Sequence, residues 1–117
     1  MNSDIFEKLK VTMGIDDEIL KLILINFLED SKRITTDIDR SLSSNNLNDL
    51  HKSIHALKSA IITFGESQAY LILESSEAAF KKKQFEEGKS IFISSRPEIL
   101  KLILLVESKL QVLVKIK

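Results

Sequence analysis

Leu50, Ile54, Leu57, Ile61 and Phe64 recur at spacings of four, three, four and three residues. This is the period of an α-helix with one buried stripe, and the two-residue repeat of a strand cannot produce it. The stripe commits this part of the chain to a helix packed against other elements. It also decides what points away from the core. At about 100° per residue, His55 lies roughly 80–140° from the middle of the stripe. The imidazole is therefore expected to face outward on a helix that other residues anchor. Lys58 follows one turn later on the same side.

The remainder of the chain also reads as helix. Three glycines, one proline and 44% hydrophobic residues in 117 leave little material for turns and suit a single domain spanning residues 1–117. Ser3 and Asp4 are placed to cap a short first helix ending near Gly14. Asp16-Asp17-Glu18 is an acidic helix start rather than a metal cluster. The second helix carries Ile19, Leu20, Ile23, Leu24, Phe27, Leu28, Ile34, Ile38 and Leu42 as far as the polar turn Ser43 to Asn46. The histidine helix begins around Asn48 and breaks at Gly65. Ser67 caps a further helix with Ala69, Ile72, Leu73, Ser76 and Phe80 inward, which frays at Lys81-Lys82-Lys83, where cations suit the negative helix end. The sequence leaves residues 84–96 open between loop and short helix. Pro97 is suited to the first turn of a last helix running through Leu100, Ile103, Leu104, Leu110 and Val114. Only the β-branched tail, Val112 to Ile116, offers a competing strand. The expectation is all-α: an up-down antiparallel four-helix bundle with an additional short N-terminal helix.

Several function classes drop out. Lys+Arg and Asp+Glu number 17 each, and this charge balance argues against a nucleic-acid partner. The absence of cysteine removes disulfides, thiolate chemistry and cysteine metal sites. The polar start Met1 to Ile5 lacks the apolar core of a signal peptide, and no stretch is apolar enough to span a membrane, so a cytoplasmic location with no membrane contact is expected. No Walker loop, Ser-His-Asp set or dinucleotide fingerprint occurs.

What is left is His55 with Lys58. An exposed imidazole is a nucleophile, and an ammonium one turn away offsets phosphate charge, a pairing suited to carrying a phosphoryl group on nitrogen. His51, four residues earlier, shares the face as a solvated neighbour at the edge of a docking surface. A metal held by the two histidines is not expected, because no third ligand stands at suitable spacing on that face. Ile62, about 20° from His55 on the same wheel, reads as a docking residue, with the small Ser59 and Thr63 keeping the surface open. Glu77 lies at the edge of its helix's apolar stripe, either a solvated acid or a hydrogen-bond partner of the imidazole.

These residues resemble the histidine-containing phosphotransfer (HPt) domain of bacterial and fungal phosphorelays. The family signature is His-x-x-Lys-Gly and then, after five further residues, another Gly. His55, Lys58 and Gly65 match it, and Ser59 stands where the first Gly would be. Phe27 to Asp30, Ile38 to Leu42, Leu47 to Leu50, Leu73-Glu74 and Ala78-Ala79 are similar to the family's flanking helices, so the likeness covers roughly residues 18–83 in detail. The resemblance implies a four-helix bundle, phosphorylation of His55 by a receiver-domain aspartate, and return of the phosphoryl group to another response-regulator receiver in a relay fed by a (hybrid) histidine kinase. It implies no cofactor on this chain, the Mg²⁺ of transfer belonging to the receiver. Family members often hold the imidazole with a glutamine from the next helix, and Glu77 stands at about that position. A monomer is expected, and the chain is a carrier rather than a free-standing enzyme. Ser59 keeps a second reading open, a helical adaptor that binds receiver or kinase domains without transfer. A histidine-kinase dimerisation module is disfavoured, since no ATP-binding segment or two-fold coiled seam is evident.

Overall fold

The computed structural model describes residues 4–115. Five α-helices account for nearly all of them: α1 Ile5–Met13, α2 Asp17–Ser44, α3 Leu47–Ile61, α4 Gln68–Lys81 and α5 Phe85–Lys115, with a 3₁₀ turn Ile62–Phe64 after α3. Four of the helix starts are written in short polar side chains. Asp4 accepts from the amides of Phe6 and Glu7, Asp16 from Ile19, Asn46 from Asp49 and Ser67 from Tyr70. Each such cap is worth about 1 kcal/mol. Asp4 takes the first capping role, and Ser3 lies outside the described residues.

The helices form a bundle. α2 packs on α3 and α5, α4 packs on α3 and α5, and α1 lies against α2 and the 3₁₀ turn. The core is one continuous cluster. α3 contributes Leu50, Ile54, Leu57 and Ile61, all at most 1% exposed. α2 supplies Leu20, Leu24, Phe27, Ile34 and Ile38, with Ser31 and Ser41 at the remaining positions of the same stripe. The end of α3 is pinned by aromatics: Phe64 meets Phe27 edge-on at 4.9 Å and Phe6 at 6.1 Å between ring centres.

Gly65 ends this region with φ 89° and ψ −174°. A Cβ there would meet nothing, so the backbone angle and not crowding calls for glycine. Gly88 is the opposite case. A Cβ on it would lie 2.7 Å from a Phe80 ring carbon, and Ser76 donates from Oγ to the Gly88 carbonyl at 2.7 Å. Here the missing side chain lets α4 and α5 approach.

The last third of the chain departs from the sequence expectation. Residues 85–96 are helical, and α5 runs unbroken for 31 residues with Pro97 in its interior instead of its first turn. Proline removes one amide donor and crowds the carbonyl four residues back. That carbonyl belongs to Ile93, and both Ile93 and Pro97 are exposed, so water can take the freed acceptor. Buried Phe92, Ser95, Ile99, Leu102 and Val106 keep one stripe continuous across the proline. The inward set thus differs from the one read from sequence: Leu100, Leu104 and Val114 are exposed, while Ile103 and Leu110 are half-buried. The tail is helical through Lys115, so helix prevails over strand; Ile116 lies outside the described residues. An Arg96–Asp39 pair at 2.7 Å ties α5 to α2 on the surface.

Gly88→Ala is expected to destabilise the protein. Overpacking costs about 1–3 kcal/mol, offset by about 1 kcal/mol of helix propensity. The net loss should lower the melting temperature by roughly 4 °C. A variant melting at or above wild type would mean the α4–α5 spacing is not set by this contact.

Candidate functional site

The outward face of α3 carries the residues that the sequence brings forward, and α4 completes them. His55 is 60% exposed at its side chain, although Ile54 just before it and Leu57 two residues after it lie in the core. Its Nδ1 lies 2.6 Å from Oε2 of Glu77. Glu77 comes from α4, and its side chain is 4% exposed. Lys58 Nζ stands 2.6 Å from the other carboxylate oxygen, Oε1. It approaches outside hydrogen-bonding angles, so this contact is a charge pair. His51 directs Nε2 at Oε2 from 3.5 Å, and its ring stacks on Phe80 at 5.2 Å and 11°. One buried carboxylate therefore gathers three basic side chains of α3, spaced by four and three residues.

The electrostatics follow from that burial. Loss of water is the largest single influence on the Glu77 carboxyl and pushes its pKa up. The Lys58 and His55 contacts together outweigh it and hold the group below the ordinary carboxylate value. The same Glu77 contact holds the Lys58 ammonium above its ordinary value, against desolvation, with smaller help from Tyr70 and Glu74. The Lys58 ammonium also sits 5.9 Å over the Tyr70 ring. Glu77 is thus an anion and accepts from Nδ1–H of His55. In that tautomer the neutral ring carries its lone pair on Nε2, the nitrogen directed away from Glu77.

Glu77 is accordingly no solvated acid, and His51 is more than a solvated neighbour, since its ring is partly covered by Phe80 and turned toward Glu77. Sequence reasoning did not reach the role of Tyr70. Tyr70 and Glu77 are seven residues apart, so they share a face of α4, which the structure turns toward Lys58 of α3. Ser59 is exposed one turn beyond His55. Ile62 is 41% exposed, whereas Ile61 is fully buried. Thr63 is half-buried, and with Ile62, Gly65, Lys8 and Thr12 it lines a shallow cavity of about 230 Å³ between α1 and the 3₁₀ turn. Among the described residues no group of three or more His, Cys, Asp or Glu is placed to hold a metal ion, and no helix is long and apolar enough to cross a membrane.

The pairing has a definite pH signature. Glu77, whose folded pKa is depressed, contributes stability that is fully present above its ordinary value of 4.5 and is lost as pH falls through its folded value. Lys58, whose pKa is raised, contributes stability fully present below 10.5 and lost as pH rises through its folded value. The stability difference between wild type and Glu77→Gln, from urea unfolding, should therefore be largest near neutrality and shrink as pH falls below about 4.5. A difference that stays constant from neutrality into acid would mean that Glu77 is not an ion in the folded protein.

Comparison with known proteins gives no match, neither to a family model nor to a curated protein nor to a solved structure.

Proposed function

We propose that this chain is a histidine phosphotransfer domain, an up-down antiparallel four-helix bundle with α1 as an added short helix, which carries a phosphoryl group on His55 between receiver domains. The observation that supports it most is the His55–Glu77 contact. A carboxylate on Nδ1 leaves a nucleophilic Nε2 exposed on a helix that cannot turn, because its other face is core. In transfer, the Nε2 lone pair forms the N–P bond while the bond from phosphorus to the receiver's aspartyl oxygen breaks. The electron pair leaves with that oxygen, and the Nδ1 proton stays on the ring in its hydrogen bond to Glu77. The ring becomes cationic as it is phosphorylated, and the adjacent carboxylate stabilises that charge. Lys58 offsets charge on the phosphoryl oxygens. The receiver supplies the aspartate and its Mg²⁺; the carrier needs no cofactor and works as a cytoplasmic monomer fed by a histidine kinase. Ile62, with Ser59 and Thr63, is the docking side of the face.

A second reading is a receiver-binding adaptor of the same fold that does not transfer. One feature favours it: Lys58 is engaged by Glu77 rather than free beside His55. Incubation with a panel of phosphorylated receiver domains separates the two. Transfer gives an acid-labile, base-stable phosphate on this chain, and an adaptor binds without acquiring it.

His55→Gln should abolish acceptance with the helical fold intact, at a stability cost of about 1–3 kcal/mol from the lost hydrogen bond to the buried Glu77 carboxylate. Lys58→Ala should slow transfer by roughly five- to 150-fold, the equivalent of about 1–3 kcal/mol for a charge-assisted contact. Label retained by His55→Gln and lost in His51→Gln would reassign the acceptor. Ile62→Glu should leave the fold unchanged and weaken receiver binding, with up to about 1.5–3 kcal/mol of apolar contact at stake. Ile61→Glu should instead unfold or strongly destabilise the protein, because that side chain is fully buried. Normal receiver binding by folded Ile62→Glu would move the docking surface elsewhere.

A further inference from the structure

Glu77 has two candidate counter-ions besides the imidazole of His55, and they sit at different distances. Lys58 is in contact at 2.6 Å, and His51 Nε2 waits at 3.5 Å on the other carboxylate oxygen. With its side chain 4% exposed, Glu77 cannot exchange a lost counter-ion for water. Phosphorylation of His55 places roughly two negative charges on the phosphoryl oxygens and one positive charge on the ring, a net gain of about one negative charge one turn from Lys58, which then stands between the phosphoryl oxygens and the carboxylate.

We propose that His51 is a positioning residue, the reserve counter-ion of Glu77, which takes up a proton and closes on Oε2 when Lys58 turns to the phosphoryl group. The inference rests on His55 as the phosphoacceptor. The stack on Phe80 holds the His51 ring so that Nε2 meets Oε2, and 30% exposure of its side chain leaves a route for the proton. The charged groups that share its carboxylate, Glu77 of α4, are His55 and Lys58 on α3, with Glu74 and Tyr70 of α4 beside Lys58. The α5 ion pairs among the described residues, Arg96–Asp39 and Lys101–Glu98, do not involve this cluster. Phosphoryl occupancy of His55 is therefore linked to the protonation of His51, and it falls as pH rises through the titration of that ring.

The test uses the full chain with a receiver domain that transfers to it, charged by acetyl phosphate. The equilibrium partition of phosphoryl between receiver and His55 is measured from pH 6 to 8.5 for wild type, His51→Gln and His51→Lys. Dividing by a variant cancels the receiver's own pH dependence. The wild-type to His51→Gln ratio should fall across the range, by up to about tenfold for each unit by which phosphorylation raises the His51 pKa. His51→Lys should keep high occupancy at pH 8.5. Imidazole NMR of wild type alone should show His51 titrating at higher pH in the phosphorylated protein. A flat ratio, or an unmoved His51 titration, with label present on His55 overturns the role of His51 and leaves the acceptor assignment standing. Failure of wild type to take label on histidine overturns both.

Discussion

A single buried carboxylate organises the chemistry of this molecule. Glu77 reaches from α4 to α3 and meets three basic side chains there, His51, His55 and Lys58. An ionised carboxylate out of water is costly unless it is paired, and a pair broken on one side is worse than no pair at all. So the contacts of Glu77 are obligatory for it and selective for them. It decides which nitrogen of His55 carries the proton, where the Lys58 ammonium rests and which way the His51 ring looks. It also ties two helices together at a place where the core stripe of α3 faces elsewhere.

That arrangement needs a stiff support, and the apolar stripe provides it. Leu50, Ile54, Leu57 and Ile61 are shut away on one side of α3, so the other side has no freedom to rotate. The difference between adjacent isoleucines shows how sharply the helix divides its faces: Ile61 is fully buried and Ile62 is 41% exposed. The aromatic cluster of Phe6, Phe27 and Phe64 then fixes the end of the helix before Gly65 turns the chain toward α4.

Much of this was legible in the residues. The caps Asp4, Asp16 and Ser67 are short-range signals, each needing only the next three amides, and the outward position of His55 follows from helix period alone. The long-range part was harder. Glu77 lies 22 residues from His55, and no local pattern says which face of α4 will turn to α3. The proline in α5 misled for a related reason. Pro97 is a strong local marker of a helix start, but the packing of Phe92, Ser95 and Ile99 on both sides of it outweighs the local loss. The stripe of α5 was also ambiguous, because the helix is apolar on more than one side: Ile93, Leu100, Leu104, Leu105, Val112 and Val114 are all exposed. Burial there is chosen by neighbours, not by periodicity.

The closeness of Lys58 to Glu77 has a kinetic consequence. An ammonium 2.6 Å from a carboxylate presents a dipole to an approaching molecule, not a unit charge, and the field of a dipole fades much faster with distance. The chain as a whole carries no net charge to compensate. Long-range attraction therefore contributes little to encounters at this face. Association should run at the unsteered rate of about 10⁵–10⁶ M⁻¹ s⁻¹ and respond weakly to ionic strength, with selectivity residing in how long an encounter lasts. The lysine ammonium is felt only at contact range, by a molecule that has already reached this face.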